Sequence, residues 1–168
     1  MAIKHVFVYG TLLQGMDNFH LIQPYARSIT GGTVKGELYH LEYGYPALIM
    51  EGHEGLITGE IVEIRDMASA LPVLDHLEGY HGPGHPDNLY DRVECQAYTK
   101  DGRQFTVYVY IWNHPAQLAE IGQPIRDGCW RTFMQNRRDD VADRYYFAYG
   151  SCMDFAGRIA SSQYANDF

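Results

Sequence analysis

A carboxylate stands at the predicted end of a helix in the stretch LDHLEGY, residues 74–80. Leucines at positions 71, 74 and 77 have helical spacing, and Gly79 is a helix stop signal. Glu78 therefore faces the negative end of the helix dipole, which is an unfavourable position for an acid. Negative surroundings and partial burial both raise a carboxyl pKa, and a raised pKa suits a general base at neutral pH. Glu78 is a candidate catalytic residue; the alternative is an ordinary surface glutamate.

A second candidate site is the stretch VYGTL, where the strand-like run Val6–Tyr9 stops at Gly10. A glycine lets the backbone turn sharply at a strand end. The N–H groups that follow then converge into a donor site for a carboxylate or an oxyanion, and Thr11 adds a hydroxyl. We predict that Tyr9, Gly10, Thr11 and Leu12 form a binding loop for a small amino-acid-like ligand. The alternative is a turn with a purely structural role.

Two other stretches offer rival chemistry. HGPGHPD places His81, His85 and Asp87 in one loop, which invites a metal site. Its spacing lacks the helical register of zinc-protease ligands, and catalytic zinc needs three well-placed ligands. Cys129 is a candidate nucleophile without an evident local base, and a free cysteine is usually a small buried apolar residue. We therefore predict neither a metal nor any other cofactor.

The amino-acid composition and the net charge disfavour some classes of binding partner. Of 168 residues, 46% are hydrophobic and 20% charged, which is typical of a globular chain. The formal net charge of −8 disfavours nucleic acid and anionic membrane surfaces as partners. No apolar run approaches membrane-spanning length, and the N-terminus lacks a secretory layout. Three cysteines without CxxC spacing favour free thiols in a reducing setting, so we expect a cytoplasmic protein.

Strand signals outnumber helix signals along the chain. The 14 tyrosines favour a β-rich protein, and the turn at Lys100–Gly102 joins the most regular hairpin pattern. We predict an α+β fold, a small mixed, mainly antiparallel β-barrel with short flanking helices. The predicted strands are Val6–Tyr9, Gly31–Leu41, a strand through Met50, Gly55–Ile64, Tyr90–Tyr98 and Phe105–Trp112; the predicted helices are Asn18–Tyr25 and Asp66–Leu77, regular from about Leu71.

The first motif is echoed near the other end of the chain. Phe7-Val-Tyr-Gly-Thr aligns with Phe147-Ala-Tyr-Gly-Ser, which follows the charged run RRDD. Chance is the alternative, because short apolar runs that end in glycine are common. We predict a domain over residues 1–136, a charged linker over 137–144 and an incomplete second unit over 145–168. Eighteen residues after Gly150 cannot supply a core. The tail must then be disordered, dock on the first domain, or pair with another molecule as a dimer.

Seven stretches taken together resemble one known family. In order they are VFVYGTLLQG, GELYHLEYGYPALI, GEIVEI, LDHLEGY, LYDRVECQAY, VYVYIW and IRDGCW, spread over residues 5–130. The chain is similar to the γ-glutamylcyclotransferase-like superfamily, in the bacterial branch related to γ-glutamylamine cyclotransferases. The combination of YGTL with a distant LDxLEGY carries most of the resemblance.

The resemblance implies a β-barrel enzyme that converts a γ-glutamyl substrate to 5-oxoproline without a cofactor. It implies that the backbone of residues 9–12 binds the γ-glutamyl group and that Glu78 shuttles protons. The stretch YFAYGSCM then looks like the opening of a second family domain. Tyr90 and Arg92 are predicted to border the pocket, with Arg92 offering charge to a carboxylate. The alternatives are a hydrolytic enzyme with the same pocket and a non-catalytic module that binds an amino-acid-like metabolite.

Overall fold

The computed structural model describes residues 2–137. The chain divides into two compact units, Met1–Trp130 and Arg131–Phe168. The first unit carries the fold described below, and the described residues of the second, 131–137, are helical. The predicted second-domain fragment 145–168, its dimer contact and all of the predicted linker except Arg137 lie outside the described residues, and they stay predictions.

Five strands of the first unit close into a barrel in the order β1-β5-β2-β6-β7. The other three strands form a separate sheet in the order β4-β3-β8. In chain order the elements are β1 (His5–Val8), α1 (Phe19–Ile22), a 3-10 turn (Gln23–Tyr25), β2 (Ala26–Lys35), β3 (Glu37–Leu41), β4 (Pro46–Ile49), β5 (Leu56–Ile64), α2 (Met67–Glu78), β6 (Tyr90–Tyr98), β7 (Gln104–Trp112), a second 3-10 turn (Pro115–Gln117), α3 (Leu118–Ile121) and β8 (Gly122–Pro124).

The predicted fold class is confirmed. Neighbouring barrel strands pair antiparallel except β1 and β7, whose short parallel pairing at His5 and Val6 closes the ring. The predicted hairpin is β6 and β7, in register from Tyr90 opposite Trp112 to Tyr98 opposite Gln104. Closure removes the exposed edges that an open sheet of these strands would leave. The same closure brings the end of β1 close to the end of β7.

The predicted strand Gly31–Leu41 was wrong in its extent, because it is two strands. Strand β2 begins at Ala26 and pairs with β5 along its length, and β3 belongs to the other sheet. The chain changes sheet at Gly36, where a Cβ would lie 2.7 Å from the carbonyl oxygen of Ile49. The N–H of Gly36 donates instead to the carbonyl of Gly55 at 2.8 Å. Only glycine fits this close approach of two backbones.

Helix α2 begins earlier than predicted. The Asp66 side chain accepts hydrogen bonds from the N–H and the hydroxyl of Ser69, at 3.3 and 2.6 Å, so the helix starts at Met67. Pro72 consequently lies inside the helix and not in its first turn. Gly79 ends the helix in the left-handed conformation at φ 65°, as its position predicted. The boundary that matters for Glu78, the C-terminal one, was therefore predicted to within one residue.

Helix α2 packs on the barrel through its apolar face. Leu74 is fully buried, whereas Leu71 and Leu77 are only partly buried. Leu74 shares one core cluster with residues of β1, β5, β6 and β7, so the helix end is held against the barrel wall. Among the described residues, no helix is long and apolar enough to cross a membrane.

Candidate active site

One cavity of the first unit brings the two predicted site stretches together. It has a volume of about 200 Å³ and is lined by both Glu78 and the loop after β1. Helix α2 supplies the acid, and the end of β1 supplies the loop. Its lining residues are Phe7, Val8, Tyr9, Gly10, Thr11, Leu12, Asn18, Tyr45, Pro46, Leu77, Glu78, Leu89, Tyr90 and Tyr110.

Glu78 is positioned by the way α2 ends. The N–H of Gly79 donates to the carbonyl of His76 at 3.3 Å, and the N–H of Tyr80 donates to that of Asp75 at 2.9 Å. These bonds close the last helical turn and fix the residue directly before it. Burial raises the pKa of Glu78 to about 7. A carboxyl group with this pKa can both accept and return a proton near neutral pH.

The loop after β1 presents unused donors. The N–H of Leu13 donates to the carbonyl of Gly10 at 3.0 Å, which closes a tight turn. Within residues 2–137, the N–H groups of Gly10, Thr11 and Leu12 make no hydrogen bond to protein. Asn18 braces this turn, because its N–H donates to the carbonyl of Thr11 at 2.9 Å and its side-chain amide to the Thr11 hydroxyl at 3.0 Å. The turn is thus a preorganised set of backbone donors at the cavity wall.

Gly10 is needed for space and not for an unusual backbone angle. Its φ is not positive, unlike that of Gly79. A Cβ at this position would lie 2.5 and 2.8 Å from two ring carbons of Pro46. Pro46 is the first residue of β4 and lines the cavity beside the loop. Close packing of the β1 loop on β4 therefore requires a glycine here.

Four tyrosines line the cavity around Glu78. The hydroxyl of Tyr9 donates to the carbonyl of Tyr110 at 2.5 Å, and that of Tyr90 donates to the carbonyl of Pro46. Tyr45 packs against Tyr90 with ring centroids 6.2 Å apart. Burial, with a smaller effect of Glu78, raises the pKa of Tyr9, Tyr45, Tyr90 and Tyr110. These side chains are therefore neutral near pH 7, and they shield the carboxyl from water.

The described residues of the cavity wall carry one carboxylic acid and no basic side chain of the lysine or arginine type. That acid is Glu78. Chemically, Glu78 can pair with a ligand's ammonium group, and the neutral N–H donors of the loop can bind an anionic or carbonyl oxygen. This division suits an α-amino acid head group.

Arg92 was predicted to border the pocket, and the structure places it in an ion pair with Asp75. Arg92 does not line the cavity, and its Nη1 lies 2.6 Å from Oδ2 of Asp75 in an ion pair. A guanidinium that is already paired offers little charge to a substrate carboxylate. The sequence pattern showed a cation on a strand but not its partner, which lies 17 positions earlier on a helix. Tyr90, by contrast, lines this cavity.

The two rival sites lie away from this cavity. The rings of His81 and His85 are 4.9 Å apart, and Nδ1 of His85 accepts the N–H of Asp87 at 3.0 Å. Across residues 2–137, no group of three or more His, Cys, Asp or Glu side chains lies close enough together to bind a metal ion. Cys129 does not line the cavity that contains Glu78.

Comparison with known proteins decides the family. The family model described as "Gamma-glutamyl cyclotransferase, AIG2-like" matches residues 6–132, which span the barrel and both site stretches. The chain belongs to the γ-glutamyl cyclotransferase, AIG2-like family. The predicted resemblance to the γ-glutamylcyclotransferase-like superfamily is thereby confirmed, and the family is one of cyclotransferase enzymes.

Curated proteins with sequences similar to this γ-glutamyl cyclotransferase family member include two from bacteria. The γ-L-glutamyl-butirosin B γ-glutamyl cyclotransferase of Niallia circulans is 34% identical over 116 residues, covering 69% of this chain and 71% of the relative. YkqA of Bacillus subtilis, named a putative γ-glutamylcyclotransferase, is 29% identical over 154 residues. That match covers 90% of this chain and 49% of YkqA, so the chain spans about half the length of that relative.

Solved structures of the family share the barrel. The crystal structure of YkqA aligns with a TM-score of 0.60 at 23% identity, covering 82% of this chain and 43% of YkqA. The crystal structure of an AIG2-like protein from Mus musculus aligns with a TM-score of 0.50 at 26% identity, covering 67% and 79% of the two chains. These alignments agree with the predicted fold class.

Sequence patterns did not reveal three of the cavity's polar residues, Asn18, Tyr45 and Tyr110. Each is brought in by an element distant in the chain, so no local spacing relates it to Glu78. Of the three, Tyr110 was the easiest to find from the sequence. The hairpin register places it opposite Arg92, which was itself predicted to border the pocket. A cyclotransferase-type cavity in this family member therefore depends on the barrel closure as much as on its motifs.

The raised pKa of Glu78 predicts an unusual stability profile for this cyclotransferase family member. The pKa of Glu78 is raised from 4.5 to about 7 in the folded protein, so the folded state holds the proton more tightly than the unfolded state. Stability is then lost as pH rises from about 4.5 through about 7. We expect Glu78→Gln to be more stable than the wild type by about 3 kcal/mol at pH values well above 7. Urea unfolding at about pH 4.5 and about pH 8 measures this difference. Equal pH dependence in the two proteins contradicts it.

Proposed function

We propose that this chain cyclises γ-glutamyl amides, releasing 5-oxoproline and an amine or amino acid. The supporting observation is that Glu78 and the loop residues Gly10, Thr11 and Leu12 line one cavity, and that no lysine or arginine is found among the described residues of its wall. The Niallia circulans relative is named for a γ-glutamyl substrate, which supports the same acyl group for this chain. The leaving amine is not implied by either observation.

The proposed reaction is an intramolecular aminolysis. The α-nitrogen of the γ-glutamyl group attacks the γ-carbonyl carbon, a new C–N bond closes the five-membered ring, and the original amide C–N bond breaks. Two protons leave the α-ammonium, and the departing nitrogen gains two to become an ammonium ion. No oxidant, reductant or other co-reactant is needed. Because both reacting groups belong to one molecule, the enzyme mainly has to hold the bent conformation that brings them together.

Glu78 is proposed as the general base and then the general acid. It carries the two protons, one after the other, from the α-nitrogen to the leaving nitrogen, and its pKa of about 7 suits both taking and returning a proton. The N–H groups of Gly10, Thr11 and Leu12 are proposed to bind the α-carboxylate or the oxyanion that develops on the γ-carbonyl oxygen. In other enzymes the loss of one such donor costs about 3 kcal/mol of transition-state stabilisation.

Product analysis tests this proposal directly. We expect incubation with a panel of γ-glutamyl amines and γ-glutamyl peptides to yield 5-oxoproline with a free amine, detected by mass spectrometry. Release of free glutamate instead points to hydrolysis by water in the same cavity. Unchanged ligand with measurable binding points to a non-catalytic module. Either of these results contradicts the proposed cyclisation.

A further inference from the structure

Asp75 is a partly buried acid of the LDHLEGY stretch that the proposed reaction does not use. It lies one helical turn before Glu78 on α2. Its Oδ2 binds Nη1 of Arg92 at 2.6 Å, and its Oδ1 accepts the hydroxyl of Tyr110, also at 2.6 Å. Both carboxylate oxygens are thus engaged with two different strands of the hairpin. Short, charge-assisted bonds of this kind are stronger than neutral ones and have a defined geometry.

The ion pair is held in place and differs from an ordinary surface pair. The side chains of Arg92 and Asp75 are 22% and 23% exposed, whereas those of Arg103 and Asp101, at the turn of the same hairpin, are 58% and 64% exposed. The guanidinium carbon of Arg92 lies 5.1 Å from the ring centroids of both Tyr80 and Tyr108. A guanidinium that contacts two aromatic rings and is paired with a carboxylate has little freedom to move.

Asp75 is connected to the cavity wall through its hydrogen bond with Tyr110. Tyr110 lines the cavity, and its backbone carbonyl accepts the hydroxyl of Tyr9 at 2.5 Å. The backbone carbonyl of Asp75 accepts the N–H of Tyr80, in the cap directly after Glu78. Asp75 therefore contacts, directly or through Tyr110, the helix end that carries the base, the hairpin, and the end of β1 where the donor loop begins.

We propose that Asp75 is a positioning residue that fixes Glu78 and Tyr110 relative to the donor loop and whose charge offsets that of Arg92. The proposal rests on the proposed function for its catalytic consequence, but its electrostatic part concerns Glu78 alone. Arg92 thereby takes the role of charge partner in place of the predicted contact with substrate.

Two opposite changes of charge test the electrostatic part. In Asp75→Asn the cation of Arg92 is left unbalanced, which favours the ionised form of Glu78 and lowers its pKa. In Arg92→Met the anion of Asp75 is left unbalanced, which disfavours the ionised form of Glu78 and raises its pKa. We expect shifts of about half a pH unit or more, in opposite directions, in the titration of the Glu78 carboxyl carbon followed by 13C NMR. Four tyrosines of the described chain also interact electrostatically with Glu78, and all four are neutral in this pH range. They come from the β1 loop, the turn before β4, strand β6 and strand β7, and they are Tyr9, Tyr45, Tyr90 and Tyr110.

Turnover tests the positioning part. Tyr110→Phe keeps the ring in the cavity wall and the ion pair intact, but removes the hydroxyl that binds Asp75. We expect kcat to fall about tenfold with the Glu78 titration close to that of the wild type. Asp101→Asn, in the exposed pair of the same hairpin, is the matched control and should change neither readout.

The outcomes separate this inference from the proposed function. If Asp75→Asn and Arg92→Met move the Glu78 titration in the same direction, or not at all, the charge-balancing role is overturned. If Tyr110→Phe turns over like the wild type while Glu78→Gln is inactive, the positioning role fails and the proposed reaction stands. If Glu78→Gln retains full turnover, the proposed reaction fails, and the NMR titrations still report whether Asp75 and Arg92 balance each other.

Discussion

Glu78→Gln is expected to release 5-oxoproline at least about a thousandfold more slowly than the wild type, while it stays folded and still binds a γ-glutamyl amide. General acid–base groups contribute roughly 100- to 10,000-fold to rates, and Glu78 is proposed to serve in two successive proton transfers. Glutamine keeps the size and most hydrogen bonds of glutamate but cannot take a proton. The loss should therefore appear in kcat and not as a large rise in the dissociation constant.

The measurement is 5-oxoproline release by mass spectrometry, with binding followed by calorimetry. Glu94→Gln, a change of an exposed glutamate on β6 that does not line the cavity, is the matched control and should behave like the wild type. In the wild type, kcat/KM should rise with pH through about 7, because Glu78 must be ionised to accept the proton. Full turnover by Glu78→Gln contradicts the assignment of this residue.

Gly10→Ala is expected to lower activity by about 100-fold with a folded barrel. The added Cβ would lie 2.5 Å from a ring carbon of Pro46, so the β1 loop must move away from β4. A displacement of about 1 Å in a group that positions the substrate can cost 100-fold in rate. The N–H groups of Gly10, Thr11 and Leu12 would shift together, so binding and turnover should both suffer.

Gly31→Ala provides the matched control for this substitution. Gly31 lies in β2 with no positive φ, and a Cβ there meets nothing within 4 Å. Steady-state kinetics and thermal unfolding of the two variants separate the effect of the loop from that of losing a glycine. Wild-type kinetics in Gly10→Ala would show that the loop does not need its contact with Pro46, and that the donors are placed by something else.

The parts of the candidate site that could be predicted from the sequence are those marked by short local motifs. Glu78 was identifiable because Gly79 marks a helix end, and the donor loop because Gly10 ends an apolar run. Both signals are local, and both positions line the cavity. The hairpin was equally clear, since two strand patterns flank a Lys-Asp-Gly turn.

The parts that the sequence did not reveal depend on contacts between distant elements. Arg92 was interpreted as a substrate ligand because its partner Asp75, on α2, cannot be recognised from strand spacing. Asn18 and Tyr45 line the same cavity as Glu78, although they lie 60 and 33 positions before it in the chain. The strand break at Gly36 has the same origin, because its cause is the approach of Ile49 and Gly55 from the other sheet region.

The most direct measurement is the crystal structure of Glu78→Gln with a γ-glutamyl amide bound. The α-nitrogen of the ligand is predicted to lie within hydrogen-bond distance of the side chain at position 78. Its carboxylate or γ-carbonyl oxygen should lie against the N–H groups of Gly10, Thr11 and Leu12, with the leaving amine directed out of the cavity. A ligand bound elsewhere on the barrel, or one whose α-nitrogen points away from position 78, would contradict the proposed site and mechanism.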